Sequence, residues 1–181
     1  MLKKEGIGEK SISVLILTPD FGLVRLRAQS ARDAKGKLRF ALEPMTLGIF
    51  SFVSGRHGAR LVGAEAHEHL LPSQLHEGRR ALGSITRLLV RLLPGEEGHK
   101  DLFAGIVSGF RFMKDSPGSQ IAHAECALVL YILRELGYLP DDPILSRFAS
   151  SPLTAELLSE LEHTKPHAVR TINEVLSSTG L

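Results

Sequence analysis

The apolar pattern of this chain changes period near Ala66. That change restricts the fold more than any other feature. Before it, short runs such as Ser11–Thr18 (SISVLILT) set Ile12, Val14 and Ile16 to one side and Ser11 and Ser13 to the other, the two-residue period of a strand. After it, Leu82, Ile85, Leu89, Leu92 and Leu93 recur at helical spacing. A chain of 181 residues can hold one domain or two small ones. The shift in period predicts an α+β chain in two parts: a β-barrel at 1–68 and an α-helical domain at 69–181.

In the first part, Pro19-Asp20-Phe21-Gly22 reads as a turn, so Ser11–Thr18 and Leu23–Gln29 form a hairpin. Met1–Lys10 reads as a strand remnant or turn. Met45–Val53 is β-rich, Ser54–Gly58 is a turn, and Ala59–Ala64 is a short strand. Four or five antiparallel strands in this length fit a small closed barrel of the OB or SH3-like type, because a lone meander would leave two exposed edges. In the second part, helices are expected from Ser73 to Leu93, Lys100 to Met113 and Gln120 to Leu136. The last is apolar nearly all round, as a central helix should be. Two shorter helices, Leu153–Leu161 and His167–Leu176, are expected on either side of Pro166.

Charge is unevenly spread. Residues 1–62 hold 11 Lys and Arg against 5 acids, residues 63–140 hold 8 against 9, and residues 141–181 hold 3 against 6. A polyanion-binding footprint therefore belongs to the first third. Arg25 and Arg27 alternate on one strand face, and Arg32, Lys35, Lys37 and Arg39 follow in a loop. These six are candidate phosphate contacts, with Arg56 and Arg60 as further ones. The competing reading is a solvated edge strand and a soluble turn.

Other chemistries have weaker support. The single cysteine, Cys126, leaves no internal disulfide and no cysteine-rich zinc site. No segment has the length of a membrane span or the apolar core of a signal peptide, so a cytoplasmic protein is expected. Glu65, His67, Glu68 and His69 form the one constellation with metal-ligand character, and a polar exit from a strand is its plainer reading. No nucleotide-binding or hydrolase motif occurs, so no enzyme, cofactor or metal is expected.

Three stretches then carry a resemblance. The first runs from Gly8-Glu9-Lys10-Ser11 through Thr18-Pro19-Asp20-Phe21-Gly22. The second is Ala31-Arg32-Asp33-Ala34-Lys35-Gly36-Lys37-Leu38 with Leu42-Glu43-Pro44. The third is Leu136-Gly137-Tyr138-Leu139-Pro140. In order and spacing they resemble the RecO family of bacterial recombination mediators over most of residues 3–140. Ser30 stands where that family usually has Gly, and Gly36 where it usually has Ser. Met1-Leu2 falls within the family's first strand, so the chain looks several residues short at its start. Many members carry a four-cysteine zinc module after the Gly-Tyr-x-Pro run. Asp141-Asp142-Pro143 follows here, so the likeness is to members without zinc.

The resemblance implies an N-terminal OB-fold and a non-enzymatic role in DNA repair and recombination. Such proteins bind single- and double-stranded DNA and anneal complementary strands. They bind RecR and the acidic C-terminal tail of single-strand-binding protein, and help load RecA onto coated strands. A tail that is acidic and ends in apolar residues needs an apolar pocket rimmed by cations. Phe103, Phe110 and Phe112 beside Arg111 and Lys114 are candidates for it, against the alternative that the phenylalanines are core. The rival function is an OB-fold adaptor that binds protein without significant DNA binding.

Overall fold

The computed structural model describes residues 1–7, 11–29, 40–56, 58–72, 75–93, 95, 97–150 and 152–178. The chain divides into two compact units. One holds Met1–Leu71 with Gly95–Gly98, and the other holds Pro72–Pro94 with His99–Leu181.

The first unit is a five-stranded sheet of β1 (Lys3–Ile7), β2 (Ser11–Thr18), β3 (Gly22–Ala28), β4 (Thr46–Gly55) and β5 (Gly58–His69). Its order is β1-β2-β3-β5-β4, antiparallel throughout except where β3 runs parallel to β5. That order is an OB-like topology, as expected, but the sheet is not closed. Among the described residues, β1 and β4 share no strand ladder. They are joined only at Met1, whose amino group donates to the Thr46 carbonyl at 2.6 Å and whose carbonyl accepts from the Met45 N–H at 2.9 Å. The closed barrel foreseen from strand number therefore has an open seam.

β3 alternates cleanly: Val24, Leu26 and Ala28 are buried and Arg25 and Arg27 exposed. Val14 and Ile16 of β2 meet Val24 and Leu26, with Met1 and Leu42, to form the core of the sheet. Phe50, Phe52 and Leu61 pack on that core half-buried. β5 runs five residues past the expected end at Ala64, because Glu65–His69 pairs with Thr46–Ile49 instead of leaving as a loop. The β4–β5 register slips twice, between Leu47 and Gly48 and between Ser51 and Phe52. Such bulges coil the pair more tightly. Gly48 sits at the first slip, where a Cβ would run into the Glu65 carbonyl.

The second unit is helical: α1 (Leu75–Leu92), α2 (Lys100–Asp115), α3 (Gly118–Glu135), α4 (Pro143–Phe148) and α5 (Ala155–Ser178). α3 is the central helix, with every residue from Cys126 to Leu133 buried. Ser73, where the first helix was expected to begin, lies outside the described residues. Gly137, at φ 74°, ends α3, and the Tyr138 N–H returns to the Leu133 carbonyl at 2.8 Å, as a Schellman ending requires. The two short helices expected around Pro166 are one continuous helix. Proline removes one main-chain bond and crowds the preceding turn. Here Leu158, Leu161, Ala168 and Thr171 are all buried along α5, and packing of that stripe outweighs the local defect.

Candidate nucleic-acid interface

The register of the sheet decides which cations meet. Ile12 pairs with Ala28, Leu26 with Ala59, and Gly55 with Gly58. The start of β2, the end of β3 and the β4–β5 turn therefore lie at one end of the sheet. Arg27, Arg56 and Arg60 are all exposed there. Arg27 and Arg60 are direct partners across the parallel β3–β5 pairing. Residues directly opposite point to the same face, and like charges in that position repel. Among the described residues neither arginine makes an ion pair. A pair of adjacent guanidinium groups with no counter-charge among the described residues suits a phosphate, which either fork can bind bidentately.

Arg25 differs. Its Nη1 lies 3.2 Å from the Glu5 carboxylate on β1, and Lys3 Nζ lies 2.6 Å from the same group. Lys3 and Arg25 together hold the Glu5 carboxyl below its usual range. Glu5 thus competes with any phosphate for Arg25. Arg25 and Arg27 are equivalent candidates in the sequence, and only the strand register separates them. Arg32, Lys35, Lys37 and Arg39 fall outside the described residues.

Two exposed aromatic rings were not singled out by sequence reading. Phe21 protrudes from the β2–β3 turn and meets Phe52 edge-on, with ring centroids 5.8 Å apart. The Phe21 N–H donates to Thr18 Oγ1 at 3.0 Å, which fixes the turn. Phe40 meets the His69 ring edge-on at 4.1 Å. His69 Nδ1 is 3.1 Å from Thr46 Oγ1, so this imidazole is occupied with structure at the base of β4. Among the described residues no three His, Cys, Asp or Glu side chains are grouped to hold a metal. Among the described residues no helix is long and apolar enough to cross a membrane.

On the helical unit, the residues proposed for a partner pocket do not converge. Phe110 is core, at 2% exposure. Phe103 and Phe112 are half-buried, and Arg111 and Lys114 each have an interaction partner. A groove of about 520 Å³ lies elsewhere, between α1, α3 and α5. Leu88 and Val129 are its buried apolar floor, with Ile172 and Leu176 half-buried beside them. Arg80, Arg87, Arg91 and Lys165 stand around it, with Glu125 as the one acid. Cys126 also lines it, and burial pushes its thiol up to about 11, so it stays protonated. α1 supplies three of these cations at positions 80, 87 and 91, a spacing that returns to one helical face. The spacing was visible in the sequence, but the apolar floor from two other helices was not.

Residues 1–69 match the family model described as Recombination protein O N terminal. A curated DNA repair protein RecO from Thermodesulfovibrio yellowstonii is 27% identical over 146 residues, covering 78% of this chain and 56% of the relative. Another from Heliobacterium modesticaldum is 26% identical over 142 residues, covering 78% of this chain and 50% of the relative. The chain thus spans about half the length of these curated relatives.

Proposed function

We propose that the chain is a member of the RecO family and a DNA-binding protein of repair and recombination whose phosphate contacts centre on Arg27 and Arg60. The observation that carries this reading is the placement of these two arginines on neighbouring strands, exposed and without a described counter-charge. Arg56 extends the patch at the β4–β5 turn. Arg32, Lys35, Lys37 and Arg39 add to it by sequence alone, and Arg25 contributes least because Glu5 holds it. Phosphate contacts do not read sequence, so both single- and double-stranded DNA are ligands, and strand annealing and help in loading a recombinase are the corresponding activities.

The test is fluorescence anisotropy with a labelled oligonucleotide across salt concentrations. Each phosphate neutralised on a single strand adds about 0.7 to the slope of log affinity against log salt. Arg27→Ala with Arg60→Ala should lower that slope by roughly 1.4 on the same basis, whereas Arg25→Ala should change it less than either single variant. A double variant with the wild-type slope would refute the assignment.

The groove between α1, α3 and α5 supports a second function in the same protein. An acidic segment ending in apolar side chains, such as the tail of single-strand-binding protein, matches its cationic rim and apolar floor. On the same reading RecR is a further proposed partner, with no surface assigned. Arg87→Glu with Arg91→Glu should abolish binding of an acidic, apolar-ended peptide and leave the DNA salt slope unchanged. A protein that binds the peptide but no DNA at low salt would instead be an adaptor.

A further inference from the structure

Two cross-strand rows lie on the face of the sheet turned away from Val14, Ile16, Val24 and Leu26. In one, Lys3 is opposite Leu15, and Leu15 opposite Arg25. In the other, Glu5, Ser13, Arg27 and Arg60 follow one another across β1, β2, β3 and β5. Directly opposed residues share a face. Lys3, Arg25, Arg27 and Arg60 therefore form one cationic field, with Glu5 at its edge, and all five are exposed. Neighbouring strands stand about 4.8 Å apart, which sets the Glu5 and Arg27 main chains roughly 10 Å apart along their row. Ser13, between them, is short and buried, so β2 raises no long side chain to interrupt it. Glu5 is the one acid in either row. The other acids on the described strands, Glu65 and Glu68, sit on β5 beyond Arg60, opposite Ile49 and Leu47 of β4.

We propose that Glu5 is an affinity-limiting residue of the DNA site: it takes the place of a phosphate on this face, occupies Lys3 and Arg25, and must give way before a bound strand can use them. The inference rests on the DNA-binding reading above and adds an internal competitor to it. The contacts have the form of phosphate recognition. One carboxylate oxygen of Glu5 meets Arg25 Nη1 at 3.2 Å and the other meets Lys3 Nζ at 2.6 Å, so each oxygen holds one cation. Lys3 and then Arg25 lower the Glu5 pKa, which keeps the carboxyl ionised at neutral pH. All three side chains are exposed, and an exposed ion pair contributes little by itself. Glu5 is therefore held weakly enough for a phosphate to displace it. With Glu5 in place the two rows offer a strand Arg27 and Arg60. With Glu5 displaced they offer Lys3 and Arg25 as well. As the strand leaves, Glu5 recaptures both cations and opposes rebinding.

The test is a salt series of anisotropy titrations on the full chain with a labelled single-stranded oligonucleotide. Glu5→Gln keeps the shape of the side chain and removes its charge. Its slope of log affinity against log salt should be steeper than that of the wild type by roughly 0.7 for each cation released, so by up to about 1.4. Glu5→Ala, which also removes the acceptor oxygens, should match it. Arg25→Ala should then lower the slope by about 0.7 in the Glu5→Gln background and by much less in the wild type. Such non-additivity marks direct competition, because a general loss of negative charge would act equally with or without Arg25. Glu5 is exposed, and circular dichroism checks that each variant is folded. A Glu5→Gln protein with the wild-type slope, or a gain that Lys3→Ala with Arg25→Ala does not remove, would overturn the proposal. The DNA reading would survive either result if the slope still depended on Arg27 and Arg60. A wild type that binds no DNA at low salt would overturn both.

Discussion

The sheet and the helical unit place their informative residues in opposite directions. In β3, each buried residue alternates with an exposed arginine, so a single strand serves the core and the surface at once. In α3, eight consecutive residues are buried, and the helix offers little to solvent until Arg134. Glycines follow the same division. Gly48 in the sheet makes room for a main-chain carbonyl across a bulge, whereas Gly105 and Gly109 of α2 make room for the Tyr131 ring and the Leu128 side chain of α3. A period-two element can be read for function from its outward residues alone. A buried helix can be read only for packing, and function there must come from the faces of its neighbours.

The two units should diverge most clearly when one core position in each is emptied. Leu26 and Leu130 are both fully buried. Truncation to Ala at either should cost about 3 kcal/mol in urea unfolding, within the range for buried leucines. Leu26 lies between Arg25 and Arg27, so Leu26→Ala should also weaken DNA binding under conditions where the variant is still folded, and Leu130→Ala should not. Equal effects on DNA binding would erase the distinction.

Gly105→Ala probes the helical side with a smaller change. Its added methyl runs into the Tyr131 ring, and overpacking of this kind costs about 2 kcal/mol. Tyr131→Phe comes next. It removes the hydroxyl that donates to the Asp101 carbonyl at 2.7 Å, a loss of about 1 kcal/mol. If Gly105→Ala proved neutral, the close approach of α2 to α3 would be in error.

The smallest effect is one of pH. Asp142 accepts from the Ile144 and Leu145 N–H groups at the start of α4, and its other oxygen is 2.7 Å from His167 Nε2. Arg170 lies 3.0 Å from His167 Nδ1, which assigns the ring proton to Nε2, donating to Asp142. The bond from His167, then those from the main chain, lower the Asp142 pKa. A carboxyl with a depressed folded pKa contributes stability that is complete above its unfolded value, near about 4, and is lost as pH falls through the folded one. The melting temperature of the wild type should therefore fall more steeply than that of Asp142→Asn as the pH drops below about 4. Parallel curves would remove Asp142 from the acid response.

Much of this was legible in the sequence, for identifiable reasons. The β2–β3 hairpin and the first three helices follow from local pattern, and so does the burial of α3. What was missed depends on residues far apart in the chain. Glu5 reaches Arg25 only because β1 and β3 flank β2. Arg60 gained importance only when β5 paired parallel to β3. Pro166 was read as a break because a local steric rule was applied without the buried stripe that crosses it. The candidate partner residues show the same dependence: Phe110 is buried where α3 packs against it, and the groove with a cationic rim is assembled from three helices.

Glu97 and Gly98 belong to the sheet unit although they lie between α1 and α2. The Glu97 carbonyl rests where a Cβ of Gly22 would be, and Gly98 rests against the Asp20 carbonyl. The two units are thus not successive in the gene. A fragment ending at residue 71 would leave the β2–β3 turn without its backing, and one starting at residue 72 would carry Glu97 and Gly98 without their packing partners. Dissection of this protein by truncation would therefore damage both halves. Inheritance by recombination between modules faces the same constraint: neither unit can be exchanged for another by a single crossover.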